Sequence, residues 1–404
     1  MKLLCISRKY PPSVGGMQRM NYEVIRRLAA QTDATVIKWG HTQLFLPLFL
    51  LYAIFRSIFL LPKSRRPDVI YLGDALLSPL GFWLKKILRR PVAVTAHGRD
   101  LTFGFPLYRT KIGFSIRRLD LVIGVSMYTT SLCREMGVPP EKCVTINNGV
   151  NPEEHIPTPK DIEAAREWLK ERRFVIPQLY GNNSPSPCPL PSEGEGKIIG
   201  PCITEKTRGF EAGRPIIITV GRLVKRKGIA RFISEIFPLL TASFPKLLYI
   251  VVGEGKERKS IEKAITEHRF GGNVILAGRL PNHLVRGLMG VSKVFVMPNI
   301  SVPGDVEGFG IAALEAGCAG LPVIASDLEG IRDAVTDVEN GFLIPPGDPR
   351  RFAAAIVTLL SDERKRQEAG ERARKYTAEH YSWDTSARRY LEELKQLAHA
   401  ASKR

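Results

Sequence analysis

The densest set of reactive side chains in this 404-residue chain is Glu307-Gly308-Phe309-Gly310-Ile311-Ala312-Ala313-Leu314-Glu315, just after an apolar run ending at Met297-Pro298. Glycines at 308 and 310 let the backbone approach a ligand closely. The unpaired N–H groups near Phe309, Gly310 and Ile311, at the start of a small-residue helix, make an anion site. Two carboxylates beside an anion site suit a ligand that also offers neutral hydroxyls, as a sugar and a ribose do. The plainer alternative is a capped helix with two solvated glutamates. A second set, Gly221-Arg222-Leu223-Val224-Lys225-Arg226-Lys227-Gly228, follows the apolar run at 216–220. At the C-terminal end of a parallel strand this loop would aim its cations into a cleft. Arginine offers phosphate a fork and lysine a point charge, so Arg222 and Lys227 could neutralise a departing nucleoside diphosphate.

The first half holds two further candidates. Pro11-Pro12-Ser13-Val14-Gly15-Gly16 follows the first strand and opens a helix, which places Gly15 and Gly16 at a helix N-terminus. His97, in Ala96-His97-Gly98-Arg99-Asp100, stands at the end of a strand, where a functional role is as common as a structural one. Val252-Gly253-Glu254-Gly255-Lys256-Glu257-Arg258 imitates a dinucleotide fingerprint, but Arg258 stands where the third glycine belongs. There is no Asp-x-Asp pair to hold a metal-bound diphosphate, and no P-loop, H-E-x-x-H or G-x-S-x-G pattern. The residues therefore favour a site without metal or cofactor, in which Arg222 and Lys227 take the metal's part.

Short apolar runs and helical patterns must carry these residues. Strands are expected at 2–7, 34–40, 68–73, 92–96, 121–126 and 143–147, with helices between them such as 16–30 and 126–136. The alternation implies right-handed βαβ units on a parallel sheet. It restarts near residue 215, with strands at 216–221, 247–253, 273–277, 293–297 and 322–326 and helices at 228–240, 256–267 and 310–319. The expected fold is α/β, two doubly wound Rossmann-like domains facing a central cleft. Residues 176–213, rich in Pro, Gly and Ser, fit neither unit and read as a mobile insertion.

The net charge is +19, and residues 1–150 carry most of it, with 22 Lys+Arg against 8 Asp+Glu. Such a basic half suits an anionic partner, and an anionic membrane surface is the candidate. Nucleic acid is disfavoured, because no recognised module or basic–aromatic interleaving accompanies the charge. Six scattered cysteines without a C-x-x-C pair indicate neither zinc nor a disulfide framework, and a reduced cytoplasmic chain is expected. The chain opens directly on a short strand, without a signal-peptide pattern. Residues 44–61, LFLPLFLLYAIFRSIFLL, precede the basic run Lys63-Ser64-Arg65-Arg66. Three readings apply: a crossover helix, an interfacial membrane contact on the inner face, or a transmembrane span. Pro47 and Arg56 argue against the span.

Taken in order, these motifs resemble the family 4 retaining glycosyltransferases of the GT-B architecture. The resemblance extends through Asn148-Gly149-Val150, Gly320-Leu321-Pro322-Val323-Ile324-Ala325-Ser326, Gly330, Asn340-Gly341-Phe342-Leu343 and Tyr381-Ser382-Trp383-Asp384. It covers nearly the whole chain except 176–213. It implies an acceptor-side domain at 1–155, a donor domain at 156–175 and 214–381, and a last helix at 382–404 returning to the first domain. Arg222 and Lys227 would hold the donor diphosphate, with Gly15 and Gly16 nearby. Glu307 and the amides of Phe309 and Gly310 would hold the transferred sugar, Glu315 the ribose, and His97 would touch the sugar near the reacting centre. The implied reaction moves a sugar from a UDP- or GDP-linked donor to a glycan or lipid-linked acceptor with retention, as in cell-envelope polysaccharide or glycolipid synthesis. The two glutamates are then not the acid and nucleophile of a retaining hydrolase. Asn151 stands where the family often has Asp, and Gln31-Thr32-Asp33 replaces a usual Gly-His. A non-catalytic nucleotide-sugar-binding scaffold and a nucleotide-sugar epimerase remain as alternatives on the same fold.

Overall fold

A computed structural model describes residues 1–13, 15–41, 43–59, 66–102, 106–179 and 214–403. The first half runs β1 (Lys2–Ser7), α1 (Gly16–Gln31), β2 (Asp33–Lys38), α2 (Leu46–Phe59), β3 (Val69–Leu72), α3 (Ser78–Leu88) and β4 (Val92–Ala96). It continues with the single turn α4 (Arg99–Thr102), α5 (Pro106–Ile116), β5 (Leu121–Gly124), α6 (Met127–Glu135) and β6 (Cys143–Thr145). These strands form one parallel sheet in the order β2-β1-β3-β4-β5-β6. The central strands are buried on both faces, so they read as unbroken apolar runs instead of alternating ones. On one face α2, α3 and α5 cover Leu4, Ile70, Val92 and Val94. On the other, α1 packs with the last helix, α16 (Trp383–Ser402).

The second half crosses over on α7 (Pro159–Leu179) and builds β7 (Ile216–Val220), α8 (Ile229–Arg231), α9 (Phe237–Ser243), β8 (Leu248–Val252), α10 (Arg258–Glu267), β9 (Val274–Gly278) and α11 (Asn282–Val291). It proceeds through β10 (Val294–Met297), α12 (Ile311–Cys318), β11 (Val323–Ser326), α13 (Ile331–Ala334), β12 (Phe342–Ile344), α14 (Pro349–Ser361) and α15 (Glu363–His380). This sheet is also parallel, in the order β12-β11-β10-β7-β8-β9. In both sheets the order in which strands are added reverses between two neighbouring parallel strands, β1/β3 in the first and β10/β7 in the second. The loops at those switch points line the crevice where open α/β sheets bind ligands.

Two readings from the sequence change, and the crossover helix expected within 44–61 is found. The helix expected at 228–240 is interrupted by a π-turn at Phe232–Ile236, where Phe237 N–H reaches back to the Phe232 carbonyl. Pro238, which lacks an N–H and crowds the preceding turn, then opens α9. The strand Phe342–Ile344 went unread because three residues carry no periodicity. Residues 46–59 of the apolar stretch form the 14-residue crossover helix α2, at about 1.5 Å per residue far shorter than a bilayer core. No helix among the described residues is long and apolar enough to cross a membrane. Residues 60–65 and most of the expected insertion, 180–213, lie outside the described residues; its first four positions are the end of α7.

The domains touch at backbone level. The chain leaves the first domain beside the point where it returns: Val150 N–H donates to Tyr381 O at 2.7 Å and Trp383 N–H to Val150 O at 3.3 Å. Gly149 has no room for a side chain there, since a Cβ would lie 2.4 Å from Trp383 N. In α16, Tyr390 is buried, its ring edge-on to Tyr71 of β3 and its hydroxyl 3.3 Å from Thr95 Oγ1 of β4.

Candidate active site

The loop between β10 and α12 places Glu307. Val306 and Phe309 are buried anchors on either side of it, and Gly310 takes a left-handed φ of 98° to start α12. Phe309 itself lies in the core, its ring tilted against Tyr381, so only its amide faces the site. Gly308 and Gly98 meet across the crevice. A Cβ on Gly308 would lie 2.2 Å from the His97 carbonyl oxygen, and one on Gly98 would lie 3.3 Å from Gly308 Cα. Thr129 Oγ1 donates to the Gly308 carbonyl at 3.4 Å, and Met127 N–H to Asp333 Oδ1 at 2.7 Å, closing the same seam.

Glu307 is nearly buried and heavily partnered. Lys227 Nζ lies 2.6 Å from its Oε2, Asn299 Nδ2 donates at 3.1 Å, and Arg226 Nε is 3.4 Å away. Burial works to raise its pKa, but the charges of Lys227 and Arg226 and the hydrogen bonds from Lys227 and Asn299 outweigh it and hold the carboxyl at about 2. Arg226 also bridges to Asp305 Oδ1 at 3.0 Å, and Arg99 of the first domain approaches the same oxygen at 3.5 Å. The sequence reading gave Lys227 and Glu307 to different parts of a ligand; in the ligand-free molecule they grip each other.

The Arg222 side chain, at the end of β7, forms no ion pair or hydrogen bond with a described residue and reaches solvent. Protein crowding and the charges of Arg226 and Arg99 lower its pKa. Lys9, at the end of β1, is in the same position. Its own partial burial and Arg8 lower its pKa, Asp74 opposes them, and Arg222 and Arg99 add to the lowering. Two unpaired cations on facing domains that repel one another mark a place for an anion. The start of α1 faces the start of α12 here, with Gly16 so placed that a Cβ would sit 3.8 Å from Ile311 Cδ1. Both helices begin at this place with the unpaired N–H groups and positive dipole ends that favour an anion.

His97 is held from two sides. Its backbone N–H donates to Asp100 Oδ1 at 2.9 Å, and its ring Nε2 lies 2.9 Å from the Gly73 carbonyl. A carbonyl only accepts, so Nε2 carries a proton, and in the neutral ring Nδ1 is left as an acceptor. Asp100, buried with a pKa raised by that burial against the pull of His97, also accepts from Ala75 N–H at 3.0 Å. Glu315, one turn into α12, is engaged by Arg19 of α1 at 3.3 Å. Arg19 also pairs with Glu154 at 2.7 Å and contacts His155 Nε2 at 3.1 Å. Burial raises the Glu315 pKa; Arg19 opposes this and Glu154 adds to it.

All the candidate residues named from the sequence therefore lie along one seam between the two sheets. Lys9, Arg19, Asp305 and Asn299 join them unannounced, while Arg99 and Arg226 sat inside quoted motifs without a role. Among the described residues no three His, Cys, Asp or Glu side chains gather as a metal site.

A family model described as "Glycosyl transferases group 1" matches residues 204–376, and one described as "Glycosyltransferase Family 4" matches residues 14–154. A Corynebacterium glutamicum protein named GDP-mannose-dependent monoacylated alpha-(1-6)-phosphatidylinositol monomannoside mannosyltransferase is 24% identical, over 96% of each chain. A Mycolicibacterium smegmatis GDP-mannose-dependent alpha-(1-6)-phosphatidylinositol monomannoside mannosyltransferase is 25% identical, over 79% of this chain and 73% of its own. Among solved structures, Anabaena HepE in complex with UDP superposes with a TM-score of 0.71 at 19% identity, over 98% of this chain and 100% of that one. Sucrose-phosphate synthase from Thermosynechococcus elongatus gives 0.73 at 20% identity, over 99% and 100%.

Proposed function

Because the chain belongs to the family 4 glycosyltransferases and has their GT-B fold, we propose that it transfers a sugar from a UDP- or GDP-linked donor to a glycan or lipid-linked acceptor, with retention and without metal. The observation that carries this reading is the pair of unpaired cations, Lys9 and Arg222, that face each other across the domain seam beside two helix N-termini. The donor diphosphate would sit among them, and the charge developing on the leaving oxygen would be neutralised without reorganisation. Glu307, kept ionised by Lys227, would accept hydrogen bonds from sugar hydroxyls, with the amides of Phe309 and Gly310 beside it. His97 Nδ1 would accept another near the anomeric carbon. Glu315 would take the ribose hydroxyls once Arg19 gives way. Retention would follow from attack on the face the diphosphate leaves, with a leaving phosphate oxygen taking the acceptor's proton. The named mannosyltransferase relatives use GDP-mannose and HepE carries UDP, so both bases belong in the donor screen. The basic first domain suits a cytoplasmic protein working peripherally at an anionic inner membrane face.

Incubating the purified chain with UDP- and GDP-sugars and following hydrolysis and transfer tests the reading. Turnover of one donor class, lost in Lys227→Ala, supports it. Wild-type transfer by Lys227→Ala or Glu307→Ala overturns the site, and epimerised free donor without acceptor overturns the reaction.

A further inference from the structure

The surface over α2, α3 and α5 is apolar where a solvent-facing layer should be polar. The inner stripe of α2, Phe49, Ala53 and Ser57, is buried against the sheet and already satisfies the crossover's packing. Its outer stripe, Leu48, Leu51, Phe55 and Phe59, recurs at three- and four-residue spacing and faces solvent, with Leu51 64% and Phe59 69% exposed. A helix that is apolar on both faces needs both covered. The adjacent α3 adds exposed Trp83 and Ile87. Phe82 joins the layer together, edge-on to Trp83 at 5.9 Å and to Phe114 of α5 at 5.8 Å. Isolated exposed apolar side chains are ordinary, whereas a continuous set marks a contact surface.

Charge identifies what covers it. α2, α3 and α5 contain no Asp or Glu, yet they carry Arg56, Lys85, Lys86 and Lys111. The nearby carboxylates Asp74 and Asp100 are buried, and Asp120 is taken up by Lys85 at 2.7 Å, which leaves Arg56, Lys86 and Lys111 as the cations these helices offer this face. Cations lie over the rings of this face, Arg118 at 3.5 Å from the centroid of exposed Phe114 and Lys86 at 4.5 Å from that of half-buried Phe82. Rings that dip into an apolar layer under cations that meet phosphates are the side-chain chemistry of a lipid–water interface. A second copy of the chain fits poorly, because a two-fold contact would set these cations against themselves. We propose that this face docks on an anionic lipid bilayer, with α2 lying in the plane of the interface. This deepens the peripheral location proposed above and rests on it, but not on the transfer chemistry.

Sedimentation of the full chain with vesicles of phosphatidylcholine, with and without phosphatidylglycerol, tests it. Binding should require phosphatidylglycerol and weaken with salt. The double variant Leu51→Glu/Phe55→Glu should bind about tenfold less or weaker still, while its donor turnover stays at the wild-type rate. Brominated lipid should quench Trp83 fluorescence in the unmutated protein, with Trp83→Phe as the control. Binding that ignores lipid charge, equal binding by the double variant, or unquenched Trp83 would overturn the proposal. So would a wild-type dimer that the double variant splits, since that would put a second copy on the face.

Discussion

Replacing Glu307 with Gln tests the reasoning about the seam most directly. The carboxyl titrates at about 2 instead of the ordinary 4.5. At neutral pH that difference corresponds to about 3 kcal/mol of folded-state stability. A depressed folded pKa contributes in full above the unfolded value and fades as pH falls toward the folded one. The contribution should therefore be complete at pH 7, fall to roughly half by pH 3, and vanish below pH 2. Gln keeps the shape but leaves the buried Lys227 without its countercharge and Arg226 with Asp305 alone, and a broken buried pair costs about 3–5 kcal/mol. For a domain of this size the melting temperature at pH 7 should drop by roughly 6–20 °C. Calorimetric scans of both proteins from pH 7 to pH 3 provide the assay. A drop under about 2 °C at pH 7, or a gap between the two proteins that stays constant across the range, would refute the account of Glu307.

Arg222→Ala, which removes an unpaired cation at no packing cost, should lower kcat by about 10²–10³-fold with little change in melting temperature; an unchanged kcat would remove Arg222 from the leaving-group site. Gly308→Ala should depress transfer strongly, because its Cβ would strike the His97 carbonyl; steady-state kinetics at wild-type rate would mean the domains need not close this far. EDTA should leave the rate unchanged and added Mg²⁺ should not raise it; activity that is lost on chelation and restored by metal would return the diphosphate to a metal ion.

The parallel strands were legible because strands buried on both faces leave unbroken apolar runs between loops, as at Val69–Leu72 and Val92–Ala96. The Phe342–Ile344 strand, too short for a pattern, borrows its place from β11. Pro238 was visible, but a helix that bypasses it through a π-turn leaves the same apolar spacing as one that does not. The site residues stood out by their glycines and strand-end positions. Their pairings did not, because Lys227 and Glu307, or Arg19 and Glu315, meet only once the two sheets have closed on each other. Lys9 is the sharpest case: one lysine after a strand has no motif, and its meaning comes from Arg222 on the other domain.

The two inter-domain crossings at Val150 and Ser382 run side by side as a short parallel ladder. Crossings at separate places would pin the domains at two points, whereas adjacent ones act like a strap hinge on a door. The domains can swing about that strap but cannot slide, because sliding would shear both connections. Swinging separates points in proportion to their distance from the hinge, so each cycle of donor entry and release should part the facing loops in a fixed sequence, with the contacts next to the strap the last to open.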